Sequence, residues 1–148
     1  MPRPLTPDQQ RALLAEVRRI YEELAERPLD RQCISRSACC RFRLTGRTPF
    51  LTRGEAMVAA AALRASGRRQ LPVSSDGSCP LLRDGQCSIY DSRPFGCRTH
   101  FCQEAGGPAP RALVRDLIQR LEDIDHALGG SGGVNLPTAI AAALKDRR

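Results

Sequence analysis

Aromatic residues are scarce in this chain of 148 residues, at 4%, and tryptophan is absent. Aliphatic side chains must therefore fill the core. A chain of this length buries roughly 70% of its unfolded surface and needs no covalent staples to fold. No run approaches the ~18 apolar residues of a membrane-spanning helix. The opening stretch, MPRPLTPDQQ, has no apolar segment of the kind a secretory signal carries, so the expectation is a cytoplasmic protein with reduced thiols. There is no glycine-rich dinucleotide fingerprint, no phosphate-binding loop, no G-x-S-x-G and no carboxylate pair at a telling spacing. Nothing in the pattern points to a serine or cysteine–histidine hydrolase. No internal repeat is visible.

Acidic residues are the minority, 16 against 23 Lys and Arg, for a net charge of +7. That balance suits an anionic partner, although an arginine-rich composition is the plainer reading. The basic residues are scattered over all segments and not gathered into a stripe with aromatics, which argues against nucleic acid. The length is that of one domain, residues 1–148. Within it we read a helical N-terminal part at 6–27, a cysteine-bearing core at 31–102 and C-terminal helices at 110–146.

The helix signals are clear at three places. Thr6-Pro7-Asp8-Gln9 is a capping box with proline at the first helical position. Leu13, Leu14, Val17, Ile20, Tyr21 and Leu24 then recur at helical spacing until Pro28. Thr52-Arg53-Gly54-Glu55 is a second capping box. It opens an alanine-rich helix that suggests close approach to a neighbour and that Gly67 should stop. From about Pro110, Leu113, Val114, Leu117, Ile118, Leu121, Ile124 and Leu128 form the strongest amphipathic stripe, ended by Gly129-Gly130. GGSGG, Gly129 to Gly133, reads as a flexible linker by composition, and a last short helix is expected over about Pro137 to Lys145. Between these lie a loop at 29–50, two short extended runs around the Asp84-Gly85 turn pair, and a further turn at Arg93-Pro94-Phe95-Gly96.

All seven cysteines fall in two clusters. Cys33, Cys39 and Cys40 lie in QCISRSACC, and Cys79, Cys87, Cys97 and Cys102 lie in CPLLRDGQCSIYDSRPFGCRTHFC. Seven is odd, which speaks against a simple disulfide framework. Two loops that each bring thiols to one place suggest a metal or an iron–sulfur cluster between them. The spacing, C-x5-C-C and then C-x7-C-x9-C-x4-C, fits neither a two-knuckle zinc ribbon nor the ferredoxin run, so it does not name the metal. The plainer reading for a single cysteine, above all for one of the vicinal pair Cys39 and Cys40, is a small buried hydrophobe.

The run from Cys79 to Cys102, C-P-L-L-x-x-G-x-C-S-I-Y-x-x-R-P-x-x-C-R-x-x-x-C, together with the tandem Cys39-Cys40, resembles the YkgJ-type cysteine-cluster family of zinc- or iron-chelating domains. The resemblance covers about residues 31 to 102 and takes in Tyr90, Arg93, Pro94 and Arg98. It departs from the family in the first cluster, where C-x-x-C-x-x-C-C is expected and Arg36 stands at the second cysteine. Eight thiols could fill two closed four-thiolate sites, but seven cannot without sharing. The alternatives are a closed site beside a three-thiolate site with an open position, a thiolate bridging two metals, or one four-thiolate site with three bystanders. An open position is what catalytic metals keep. Arg36 could instead set a cation against the thiolates.

Around the thiols, His100 is a candidate ligand or a hydrogen-bond donor to a thiolate. His126 has no thiol near it in sequence and reads as a surface or core-edge residue. Arg93 and Arg98 flank Cys97 and could donate to metal-bound sulfur or pair with Asp84 or Asp91. Tyr90 is expected to pack against the cluster loop with its hydroxyl bonded.

The expected fold is mainly α, a small helical domain around a loop-rich, cysteine-ligated metal centre, with room for one short hairpin at Cys79–Tyr90. The expected function is that of a cytoplasmic metal-binding protein holding an iron–sulfur cluster or zinc. The resemblance adds redox or transferase activity, because the family is described as oxidoreductase-like and some relatives are linked to flagellin lysine methylation. The rival is a non-enzymatic protein whose structural zinc staples the fold while its basic surface binds a partner protein or nucleic acid.

Overall fold

The first helix, α1 (Pro7–Ala25), starts where its capping chemistry is complete. The Thr6 hydroxyl accepts the Gln9 N–H at 3.1 Å, and the Gln9 side chain accepts the Thr6 N–H at 2.9 Å. Val17, Ile20, Tyr21 and Leu24 are buried along one face, as their spacing predicts. A computed structural model describes residues 4–27, 49–71, 79–83, 86–99 and 111–145, and these are the residues discussed below.

Among them the chain is mainly helical. After β1 (Phe50–Leu51) comes α2 (Arg53–Ala65), then a hairpin of β2 (Leu82–Arg83) and β3 (Gln86–Cys87). A 3-10 turn at Tyr90–Ser92 leads into the short α3 (Phe95–Thr99), and a second at Arg111–Leu113 into α4 (Arg115–Ala127). The described chain closes with β4 (Val134–Asn135) and α5 (Leu136–Lys145). The hairpin pairs Leu82 with Cys87 and Arg83 with Gln86, as the turn pair at 84–85 predicts, although Asp84 and Gly85 themselves lie outside the described residues.

Helix α2 is the hub, packed on α1, α4 and α5. Its small residues make that possible. A Cβ on Gly54 would sit 2.9 Å from Val17 Cγ2 and 3.1 Å from Ile124 Cγ2, so α1 and α4 approach it only because the side chain is missing. Val58 faces a core shared with α1 and α4, built on Ile20, Leu117 and Leu121. Ala56, Ala59 and Leu63 face a second core shared with α5 and the hairpin region, built on Leu81, Leu136 and Ile140. Gly67 ends the helix in the left-handed region at φ 85°, with the Arg68 N–H returned to the Leu63 carbonyl at 2.9 Å.

Two expectations are corrected. GGSGG is not a slack linker but a hydrogen-bonded turn. The Gly130 N–H reaches the Asp125 carbonyl at 2.8 Å, the Gly132 N–H reaches the Asp125 carboxylate at 3.0 Å, and the chain then enters a ladder in which Phe50 pairs with Asn135 and Leu51 with Val134. Two-residue strands give too short a pattern to be read from alternation. Leu113 belongs to the exposed 3-10 turn, at 49% exposure, and not to the buried stripe. Arg93-Pro94-Phe95-Gly96 leads from the 3-10 turn into α3, where the Pro94 carbonyl accepts from both Cys97 and Arg98.

Candidate metal centre

Three of the proposed ligands are described, two in the hairpin region and one in α3. Cys79 lies just before β2 and is buried, Cys87 ends β3, and Cys97 sits in α3, the last two half-buried. All three pack against the same apolar core, the one α2 shares with α5. The hairpin register sets Cys87 opposite Leu82, and the Ser88 N–H donates to the Leu81 carbonyl at 2.8 Å, so the Cys79 and Cys87 arms run side by side. Cys33, Cys39, Cys40 and Cys102 lie outside the described residues, as do Arg36 and His100. Among the described residues no group of three or more His, Cys, Asp or Glu side chains is gathered as a metal site. The chemistry of the described donors suits zinc or iron, since soft sulfur ligands held on a packed scaffold are what such centres use.

Among the described residues Arg93 and Arg98 bind backbone carbonyls and tyrosine rings, while Asp84, one of the carboxylates suggested by the sequence, lies outside them. Arg93 Nε donates to the Tyr90 carbonyl at 3.0 Å, and its guanidinium lies 3.8 Å from the centre of the Tyr90 ring. Tyr90 is half exposed and its ring lies against the Arg93 guanidinium. Arg98 Nε donates to the Arg93 carbonyl and its Nη2 to the backbone carbonyl of Asp91, both at 2.7 Å, while its guanidinium sits 4.3 Å from the centre of the Tyr21 ring. Burial, and then the charge of Arg93, pull the Arg98 pKa below the ordinary guanidinium value. Tyr21, Asp91 and Cys97 act in the opposite sense. His126 is exposed on α4, as expected.

Sequence reasoning read Glu55 only as half of a capping box and missed Asp125; both are buried carboxylates. Glu55 is 3% exposed and takes four donors on two oxygens. Oε2 accepts the Thr52 N–H and the Thr52 hydroxyl, both at 3.0 Å. Oε1 accepts the Phe95 N–H at 2.7 Å and the Tyr21 hydroxyl at 3.2 Å. Burial raises its pKa, opposed by these hydrogen bonds. Each oxygen faces a backbone N–H, an arrangement that suits the ionised form. Burial, followed by the Glu55 charge, pushes the Tyr21 hydroxyl well above its usual range.

Asp125, 4% exposed, is the second. Its Oδ1 accepts the Arg53 N–H at 2.7 Å and its Oδ2 the Gly132 N–H at 3.0 Å, which ties the start of α2 to the glycine turn. A signal for it was present. Leu117, Leu121, Asp125 and Leu128 follow helical spacing, so this acid stands on the apolar face of α4. An open cleft of about 940 Å³ touches both acids, with Phe50, Phe95 and His126 on its walls.

Comparison of the chain with protein-family models, with curated proteins and with solved structures finds no match. Among the described residues no helix is long and apolar enough to cross a membrane.

Proposed function

We propose that this chain is a metal-binding protein of the YkgJ-type cysteine-cluster kind, holding an iron–sulfur cluster or zinc through thiolates drawn from Cys33, Cys39, Cys40, Cys79, Cys87, Cys97 and Cys102. The observation that supports the reading is that Cys79 and Cys87, from the two arms of the hairpin region, and Cys97, from α3, all pack on one apolar core. A bound iron–sulfur centre would supply one-electron chemistry, and a bound zinc would supply either a structural cross-link or a Lewis acid. This chain's own part is to hold Cys79, Cys87 and Cys97 against the core that α2 shares with α5, with Arg98, next to Cys97 in α3, tied to the Asp91 and Arg93 carbonyls. Such a site keeps its thiols in a reducing compartment, so the reading carries a cytoplasmic location with it.

The test is a thiol count by mass-resolved alkylation of the folded chain, with and without a strong chelator. Protection of at least four cysteines, Cys79, Cys87 and Cys97 among them, that is lost on chelation supports the reading. Equal reactivity of all seven thiols in both conditions sinks it.

A further inference from the structure

We infer that Glu55 is the positioning residue for Cys97, holding the thiol's short helix through the Phe95 N–H and the neighbouring Arg98 guanidinium through the Tyr21 ring. The inference rests on the thiolate reading above and assigns to α2 a task beyond packing.

The comparison with α1 shows why capping alone does not account for Glu55. Both helices open on a threonine, and both place an acceptor three residues on. At α1 that acceptor is the neutral Gln9, whose side-chain oxygen returns to Thr6 in an exposed setting. At α2 it is a carboxylate buried to 3% exposure, a costly choice for a cap that a neutral amide completes equally well. The second oxygen explains the choice. Oε2 serves Thr52, and Oε1 leaves the helix start to take the Phe95 N–H and the Tyr21 hydroxyl.

Phe95 is the first residue of α3, which runs only to Thr99. A helix of that length does not persist without tertiary support. Its first N–H is held by Glu55 at 2.7 Å, and the Phe95 side chain is buried in the core that α1 shares with α4. Cys97 and Arg98 follow directly. The second arm runs through Tyr21, whose ring face carries Arg98, and Arg98 in turn binds the carbonyls of Asp91 and Arg93 and so closes the loop that leads into α3. Glu55 therefore grips both sides of Cys97 from the rigid hub of the fold. Supporting groups of this kind set ligand orientation and metal affinity.

The experiment uses the full chain loaded with its metal, or with Co(II) as a spectroscopic stand-in for zinc. It reads the thiolate-to-metal charge-transfer absorption per bound metal. Cys97→Ala gives the reference for a lost ligand. Glu55→Asp keeps a carboxylate near Thr52 but withdraws it from Phe95, and Glu55→Ala removes it. The expected result is that both lower the absorption toward the Cys97→Ala level, and that Tyr21→Phe lowers it by a smaller fraction because the Phe95 bond survives. Leu117→Ala, in the α1–α4 core, is expected to lower the Tm and leave the spectrum alone. If Glu55→Ala does not fold, Glu55→Asp decides. A folded Glu55→Asp chain with the wild-type spectrum overturns the inference. So does a Leu117→Ala spectrum shifted as far as that of Glu55→Asp, and so does a Cys97→Ala spectrum equal to wild type. A wild-type chain that takes up no metal overturns the metal reading itself and this inference with it, whereas a loaded wild type beside an unshifted Glu55→Asp overturns this inference alone.

Discussion

Replacing Asp125 with alanine should cost this chain a large share of its stability, although no motif marks the residue. The carboxylate, 4% exposed, accepts the Arg53 N–H at 2.7 Å and the Gly132 N–H at 3.0 Å. Asp125→Ala removes the acceptor that these two donors share. A buried donor left unpaired costs about 1–3 kcal/mol, and because both sites are only part-buried, water recovers some of that. About 2–4 kcal/mol is expected, against a total of about 5–15 kcal/mol for a domain. For a chain near this size that is a fall in Tm of about 5–15 °C. Asp125→Asn should fall between, since one amide oxygen can accept from one of the two donors while its NH2 faces the other. The assay is a thermal melt of the three chains, joined to amide hydrogen exchange at Gly132. Gly132 should be protected in the wild type and lose protection in Asp125→Ala. A Tm within about 1 °C of wild type, with Gly132 exchanging freely in every chain, would refute the reasoning and restore GGSGG as a slack linker.

Leu117 is fully buried between α1 and α4, so Leu117→Ala should lower stability by about 2–5 kcal/mol in a denaturant titration, and a loss under about 1 kcal/mol would mean that the site collapses around the gap. The Asp116 carboxylate accepts two bonds of 2.6 Å from the Arg27 guanidinium, which holds its pKa down from 3.8 to about 2. A depressed carboxyl pKa stabilises the fold above the ordinary value and is lost as pH falls, so this contribution should disappear between about pH 3.8 and about pH 2. A carbon-detected NMR titration should show that midpoint, and Arg27→Gln should move it back up. Arg120 bridges Glu16 at 2.5 Å and Glu23 at 2.6 Å, linking α4 to α1, and Arg120→Ala should lower the Tm at low salt by more than at high salt. An equal loss at both would assign the effect to packing of the arginine stem.

The parts of the fold legible in the sequence were those with local causes. Thr6 and Thr52 announce their helices because a cap needs only residues three apart, and Gly67 announces a stop because its left-handed backbone is costly for other residues. The fold class and the hairpin around residues 84–85 followed from the same short-range chemistry. The ladder between Phe50–Leu51 and Val134–Asn135 was not legible, because two residues carry no alternation and their partners lie far apart in sequence. Glu55 was legible only as half of a capping box. Its other oxygen serves Phe95 and Tyr21, which no local pattern connects to it. The carbonyls and tyrosine rings that Arg93 and Arg98 meet were not legible, because the path of residues 90–98 that brings them together carries no local signature. The glycine turn was misread because composition registers backbone freedom and not the acceptor waiting on α4.

The central claim is that the thiols hold a metal. The most direct measurement is the metal and acid-labile sulfide content per chain, with an absorption spectrum, on protein purified without oxygen. The account predicts brown protein with labile sulfide, or colourless protein with stoichiometric zinc, and in either case a loss of bound metal when Cys79, Cys87 or Cys97 is replaced by alanine. Folded protein that is metal-free, with seven reactive thiols, would contradict it.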